Sequence, residues 1–403
     1  MERARLARTL RREADRMRIW RERLLTFARK EDAPLREGNV AALYGDGGAL
    51  LEAWRQAIRG AERTLDVEIY FWSDDVVGQG FVELVRAALA RGVAVRIAYD
   101  AVGTWPSSQH IDRLKAEGAF VHVFHPIAPW RIRSNPNHRD HRKLVIADDT
   151  IAVVGSANWS VAYDQCANPG CFIDVGLGVA GPIVRDLALD FRNVWDLETG
   201  ERLPPPCEPR SGFLPPGELQ ANVPVQMVSG WRRGHQNAVR RLYGMLIRAA
   251  RAEILLATPY FIPGRRILRA LGRAASHGLS VVIVVPGAID QPWVRAAARA
   301  SYGRLLRAGA RIFERQDRMI HAKVAVLDGE VAVVGTANLD PRSFLHNLEL
   351  NLDVHHRPIA RLVADFVAEQ RKCSVEVDLE THSRRPFLTK LWQRLAYELR
   401  YWL

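Results

Sequence analysis

Two short stretches of this chain carry the side chains of an acid–base centre at the same spacing: His141, Lys143 and Asp148, then His321, Lys323 and Asp328. Each reads His-x-Lys-x4-Asp. Six residues further on each continues as Gly-Ser-x-Asn or Gly-Thr-x-Asn, which adds Ser156 and Asn158 in the first copy and Thr336 and Asn338 in the second. Residues 141–159 and 321–339 agree at nine of nineteen positions, far more than a hairpin needs for its architecture alone. An imidazole attacks or passes a proton near neutral pH, an ammonium is a fixed positive charge, and a hydroxyl with an amide adds neutral donors. Together they suit a phosphodiester, whose oxygens need the charge neutralisation that other enzymes obtain from metal ions. In-line displacement requires a nucleophile on one face of phosphorus and a proton donor for the leaving oxygen on the other. Two copies of one constellation supply both.

Along an extended strand residues i and i+2 share a face, so His and Lys of each copy project together while Asp148 or Asp328 arrives at the strand's end. Asp-Asp-Thr and Asp-Gly-Glu then read as hairpin turns. The two aspartates complete the motif within the catalytic set, and their place at a turn also suits holding the hairpin. A reactive imidazole needs its second nitrogen fixed by a carboxylate. Setting Asp190-Phe191 against Asp365-Phe366, an offset of 175, maps Glu349 onto Asp174, and these two are the expected orienting groups. Which carboxylate serves which histidine stays open. His138 precedes His141 by three residues, but no Cys or carboxylate cluster accompanies the pair, so neither a metal nor another cofactor is expected. Cys166, Cys171, Cys207 and Cys373 are too sparse for a disulfide framework and suit a reducing compartment.

The elements that must position these residues are also written twice. Residues 65–72, 78–92 and 93–100 read as strand, amphipathic helix and strand before the first motif; residues 252–261, 265–278 and 279–286 repeat the order before the second. The fold class is therefore α/β, with parallel strands, flanking helices and right-handed crossovers. Residues 200–222 hold six prolines and read as a linker. The organisation expected is a basic amphipathic segment over 1–38, a first half over 39–199, the linker over 200–222, a second half over 223–372, and a basic aromatic tail over 373–403.

The formal net charge is +12, and residues 1–30 (+7) with residues 381–403 (+4) account for all but +1 of it. A near-neutral body lacks the basic stripe of a nucleic-acid binder, whereas basic amphipathic ends suit an anionic membrane surface. In the tail Leu388, Leu391, Leu395, Leu399 and Trp402 fall on one helical face, with Lys390, Arg394 and Arg400 outside it. Leu6, Leu10, Met17, Leu24 and Phe27 mark a similar stripe at the other end. Such helices pack on the body, pair with each other, or lie in a lipid interface; Trp392, Tyr397, Tyr401 and Trp402 favour the interface. No run of residues is long and apolar enough to span a bilayer, and no apolar h-region opens the chain.

With both motifs intact, the chain resembles the phospholipase D superfamily across roughly residues 39–372, and within it the bacterial cardiolipin synthases. ANLDPRSFLHNLELN (337–351) follows their second motif and NHRDHRK (137–143) their first, and the chain is most similar to the shorter, B-like branch. The resemblance implies a duplicated α/β/α sandwich, its halves related by a pseudo-twofold with the active site between them. It implies two-step phosphatidyl transfer through a phosphohistidine, with phosphatidylglycerol as substrate, on the cytoplasmic face of a bacterial inner membrane. By that analogy His141 attacks phosphorus and protonated His321 serves the leaving glycerol. Water as acceptor would make the reaction a phospholipase D hydrolysis, and a nuclease of the same superfamily is the rival in another substrate class. Both motifs lie in one chain, so no oligomer is required to complete a site. The first half departs from the pattern after Asn158, where NWSVAYDQCANPGCFIDV replaces NLDPRSFLHNLELN, which leaves acceptor specificity open.

Overall fold

The computed structural model describes residues 33–104, 108–126, 137–168, 170–230, 237–287 and 291–401, so the expected amphipathic stripe at the N-terminus and Trp402 lie outside the described residues. In chain order the first half runs β1 (Leu35–Tyr44), α1 (Gly47–Gly60), β2 (Thr64–Ile69), α2 (Val76–Ala90), β3 (Ala94–Asp100), α3 (Ser108–Ala116), β4 (Phe120–Phe124), β5 (Leu144–Ala147), β6 (Ile151–Gly155), β7 (Gly176–Ala180) and α4 (Pro182–Thr199). The second repeats this as β8 (Gln220–Ser229), α5 (Ala238–Ala249), β9 (Glu253–Ala257), α6 (Arg265–Ser276), β10 (Ser280–Pro286), α7 (Pro292–Arg307), β11 (Arg311–Arg315), β12 (Val324–Leu327), β13 (Val331–Gly335), the short α8 (Pro341–Leu345), β14 (Leu350–Val354) and α9 (Arg357–Lys372).

Among the described residues all the strands join one sheet, in the order β15-β11-β10-β9-β12-β13-β14-β8-β1-β7-β6-β5-β2-β3-β4, where β15 (Ser374–Glu376) is an added edge strand. Without β15 the order is a palindrome about the β8–β1 seam, the sheet-level form of the expected pseudo-twofold. Only β2-β3-β4 and β9-β10-β11 are parallel, and the remaining pairs are antiparallel, so the sheet is mixed rather than parallel throughout. The reason is local: the β5–β6 and β12–β13 connections are tight turns, too short for a crossover. Asp148 and Asp149 (φ 54° and 52°), like Asp328 and Gly329 (φ 56° and 64°), take the paired left-handed conformation that a two-residue hairpin turn demands.

Helices cover both faces. On one, α4 and α9 lie together over the seam, and Ile183, Leu187 and Phe191 share a core with Ile359, Val363 and Phe366. On the other, each half keeps its own core, with Leu51, Trp54 and Phe81 under α1 and α2, and Leu242, Leu271 and Leu305 under α5, α6 and α7. Each fully buried apolar side chain of this size contributes about 1.5–3 kcal/mol, so the shared core fixes one half against the other.

Two expected boundaries move. β1 starts at Leu35 and β8 at Gln220, inside segments read as terminal helix and linker, because the seam draws ten residues from each half. The proline-rich segment between the halves lies against the first half. There the Cys207 amide donates to Asp149 Oδ2 (2.8 Å) and the Arg210 amide to Thr150 Oγ1 (2.7 Å). The tail forms α10 (Leu379–Ser383) and α11 (Phe387–Glu398), which packs on α7. Among the described residues no helix is long and apolar enough to cross a membrane.

Candidate active site

His141 and Lys143, like His321 and Lys323, lie in the segments that lead into β5 and β12, and their partners come from across the molecule. The segment before His141 docks on the segment before Glu349: the His141 amide donates to the Leu348 carbonyl (3.0 Å), and the Leu348 amide to the Arg139 carbonyl (2.8 Å). The same stitch recurs with the halves exchanged, the Ile173 amide on the Met319 carbonyl (2.9 Å) and the His321 amide on the Ile173 carbonyl (2.7 Å). As a result His141 Nδ1 faces the Glu349 carboxylate at 3.0 and 3.1 Å, and His321 Nδ1 faces Asp174 Oδ2 at 2.9 Å. Each histidine belongs to one half and its carboxylate to the other. A carboxylate at Nδ1 fixes the Nδ1–H tautomer and leaves Nε2 for chemistry.

The lysines are buried with them. Lys143 Nζ donates to the His141 carbonyl (2.6 Å) and lies 5.0 Å from the centre of the Tyr70 ring, while Lys323 Nζ donates to the His321 carbonyl (2.7 Å) and sits 3.0 Å from both ring nitrogens of His321. Burial, then the neighbouring Lys323 ammonium, pushes Lys143 down to about 7, so the ammoniums of both halves share one pocket. Burial and then the Lys143 and Lys323 ammoniums hold His141 well below its ordinary value. His321 is pushed down to about 4 by burial and then Lys323, against the pull of Asp174. Burial also lifts Glu349 up to about 7, opposed by Lys143 and by hydrogen bonds from Thr336, Ser343 and Asn347. Burial and mutual repulsion thus lower the proton affinity of both imidazoles and of Lys143, effects that an anion between the lysines would oppose.

Ser156 and Thr336, expected to bind substrate, have partners within the protein, and Asp148 and Asp328 hold their hairpins, as their place at a turn suggested. The Ser156 hydroxyl donates to Asp174 Oδ1, and the Thr336 hydroxyl donates to Glu349 Oε2 (2.5 Å), so the single hydroxyl proton of each is directed to an orienting carboxylate. Asp148 and Asp328 stand at the far end of four-residue strands about 13 Å long. There Asp148 accepts from the amides of Glu62, Arg63 and Thr64, and Asp328 from those of Arg251, Ala252 and Glu253, which pins the loops entering β2 and β9. Burial would raise the Asp148 carboxyl, but those amides and the Arg210 guanidinium bring it below its ordinary value.

The asparagines divide. Asn158 Nδ2 donates to the Tyr163 hydroxyl (2.8 Å) and its Oδ1 accepts from the Phe71 amide (3.2 Å), a bracing role. Asn338 has its amide on Ser343 Oγ (3.1 Å) and a buried Oδ1 with no hydrogen-bond partner. His138 turns to His125, ring centres 5.5 Å apart, and among the described residues no His, Cys, Asp and Glu cluster is disposed to hold a metal ion.

Several residues escape the motif. Tyr70 meets the His141 ring edge-on at 5.0 Å; Tyr163 and Phe172 flank His321 at 5.2 and 6.0 Å. Arg142 points opposite to His141 and Lys143, fully buried against Asp140 Oδ1 (3.2 Å), Asp190 Oδ2 (2.9 Å) and Glu68, where the second half has Ala322. The alternation of the strand announces its direction, but nothing in the sequence announces its three carboxylates.

The family described as "Cardiolipin synthase, PLD-like domain" matches residues 54–175 and again 244–370, once in each half. The cardiolipin synthase of Geobacillus kaustophilus (strain HTA426) is 32% identical over 368 residues, 90% of this chain and 72% of its own length. Cardiolipin synthase B of Escherichia coli (strain K12) is 32% identical over 333 residues, 82% of this chain and 80% of its own. In three dimensions the chain is similar to the phosphatidylserine synthase of Haemophilus influenzae Rd KW20, with a TM-score of 0.68 at 16% identity over 90% of this chain and 95% of that one, a likeness of fold alone. With its duplicated halves and motif-bearing strands matched in this way, the chain belongs to the cardiolipin synthase family of phospholipase D-like phosphatidyltransferases.

Proposed function

We propose that the enzyme transfers a phosphatidyl group from one phosphatidylglycerol to the hydroxyl of a second, releasing glycerol, through a phosphohistidine on His141. The observation that carries this reading is the reciprocal pairing of His141 with Glu349 and of His321 with Asp174 around two buried lysines. In the first step the Nε2 lone pair of His141 forms the N–P bond as the bond from phosphorus to the glycerol oxygen breaks, and that oxygen takes the proton of His321. In the second, His321 removes the proton of the acceptor hydroxyl, whose oxygen attacks phosphorus as the N–P bond breaks. Lys143, Lys323 and Asn338 meet the phosphoryl oxygens; Glu349 and Asp174 orient the imidazoles, and Ser156 and Thr336 hold the carboxylates.

The assignment of roles follows the resemblance to the phospholipase D superfamily, and the surroundings of the two imidazoles support it. Asp174, by charge and hydrogen bond, opposes the fall in proton affinity that burial and Lys323 impose on His321, as a proton donor needs. Arg342 adds a third cation that lowers His141, as a nucleophile needs. The phosphodiester anion, entering between the lysines, supplies the negative charge that lets His321 take up its proton. The protein works as a peripheral enzyme at an anionic membrane surface, on the cytoplasmic face, as a single chain.

The test uses purified protein and phosphatidylglycerol vesicles, with lipid products read by mass spectrometry. Cardiolipin and glycerol in equal amounts are expected, and His141→Ala abolishes both. Phosphatidic acid as the sole lipid product would make the enzyme a hydrolase. Release of nucleotides from single-stranded DNA with no lipid product would make it a nuclease.

A further inference from the structure

A helix that merely packs on a soluble body turns its apolar stripe inward. α11 does the reverse. Toward the body it presents buried Gln393 and Ala396 and half-buried Thr389 and Tyr397, and Arg400, just past its end, is buried too. Outward it presents Phe387, Leu388, Leu391, Trp392, Leu395 and Leu399, from 43% to 76% exposed. With Tyr401 these are seven of the sixteen exposed large apolar residues among those described, gathered on about 20 Å of one helix. Single exposed leucines need no explanation; a contiguous patch does.

We infer that this face of α11 is the surface by which the enzyme lies on an anionic lipid monolayer, with the helix axis parallel to the membrane and the active site held beside it. Charge selects the occupant. Residues 379–401 carry five Lys and Arg against two Glu. Lys390 and Arg394 are exposed on α11 itself, and Arg265, Arg266 and Arg269 are exposed on α6, whose first residue, Arg265, comes within 4.0 Å of Glu398. A second copy would set this basic surround against itself, and residues 1–30, net +7, would be repelled as well. An anionic headgroup layer neutralises the surround while the apolar stripe and Trp392 enter the boundary beneath it.

Position ties the patch to the reaction. The Tyr397 hydroxyl donates to the Pro263 carbonyl (3.2 Å), in the loop after β9. In that loop the Ile262 amide donates to the Leu339 carbonyl (3.0 Å), next in sequence to Asn338 of the second motif. α11 is thus one loop away from the rim of the site, so docking it brings that rim to the lipid.

This inference rests on a membrane-lipid substrate only for the coupling to turnover, and the experiment separates the two. Full-length protein and the double variant Leu391→Asp/Leu395→Asp, both exposed positions, are compared in co-sedimentation with vesicles of phosphatidylglycerol and of phosphatidylcholine. The variant is expected to lose at least about tenfold in affinity for phosphatidylglycerol vesicles. Its turnover of vesicular substrate falls in step, while turnover of a monomeric short-chain phosphatidylglycerol is unchanged. Wild-type binding weakens with salt and is weaker on phosphatidylcholine. Unchanged vesicle binding by the variant overturns the inference. So does a polarity-sensitive dye on Leu395→Cys that reports an apolar surround before vesicles are added, because the face would then be covered by the chain's own N-terminal segment or a second copy. α11-dependent vesicle binding without turnover of either lipid would instead sink the proposed reaction and leave the docking face standing.

Discussion

His141 and His321 occupy equivalent places in the two halves, each two residues before a buried lysine and each held at Nδ1 by a carboxylate from the opposite half. Their surroundings diverge. His141 has Glu349, the edge of Tyr70 and the field of Arg342; His321 has Asp174, a lysine at both ring nitrogens, and Tyr163 with Phe172 alongside. Beneath the first motif lies Arg142 with its three carboxylates, and beneath the second the apolar Ala322 of the shared core. The two halves supply two like groups in unlike surroundings, and it is on that difference that the proposed division into nucleophile and proton donor can be tested.

The largest expected effect breaks the pair apart. His141→Ala loses turnover by about 10⁴-fold or more, the size seen when a covalent nucleophile is removed. His321→Ala is similarly slow with phosphatidylglycerol, but with a donor whose leaving group needs no proton, such as a p-nitrophenyl ester, it releases p-nitrophenol in a burst and accumulates a covalent adduct. An adduct on the His141→Ala protein and none on His321→Ala would exchange the two roles.

Next comes the carboxylate. Asp174→Asn is expected to lower kcat/KM by roughly 10²–10³-fold. It also moves the alkaline limb of the pH profile. Asp174 raises the proton affinity of His321, so without it the imidazolium is lost at lower pH and the limb shifts to the acid side. A limb that stays in place would detach Asp174 from His321.

A smaller change tests the revised hydroxyls. Ser156→Ala and Thr336→Val each remove one hydrogen bond to a buried carboxylate, which costs roughly tenfold in kcat. KM is expected to hold, because each hydroxyl is hydrogen-bonded to an orienting carboxylate. A rise in KM with kcat unchanged would return them to the phosphoryl oxygens.

The smallest effect is on stability. Lys143 is buried with its proton affinity reduced to about 7. Below that pH both folded and unfolded chains carry the proton and the full cost of burying it is present. Between about 7 and the ordinary lysine value the unfolded chain binds more protons, so stability rises with pH. Lys143→Met, inactive, is therefore expected to melt roughly 2–4 °C above wild type at pH 6, with the gap closing toward pH 10. A lower melting temperature at pH 6 would mean that the lysine stabilises the empty site.

Much of the site was legible because its signals are local. A strand repeats every two residues, so His and Lys must share a face, and Arg142 must leave on the other. Asp148-Asp149 and Asp328-Gly329 favour the left-handed pair that closes a hairpin. The alignment that set Glu349 over Asp174 followed from the duplication itself. The carboxylate partners of the Ser156 and Thr336 hydroxyls were not legible, because a donor beside a motif looks the same whether it meets a phosphate or a carboxylate eighteen or thirteen residues on. The aromatic residues around His321 lie in the stretch where the first half departs from the second, and no repeat marks them.

By itself the sequence determined the chemistry and its doubling: two imidazoles, two ammoniums, two carboxylates and the hairpins that carry them, all set by spacing along a few residues of chain. Only the tertiary structure decided that each carboxylate serves the histidine of the other half, and that the apolar face of α11 looks outward. Those choices depend on how β1 meets β8 and how α4 and α9 close over that seam. They bring together groups about two hundred residues apart in one direction and about one hundred and fifty in the other, beyond the reach of any local pattern.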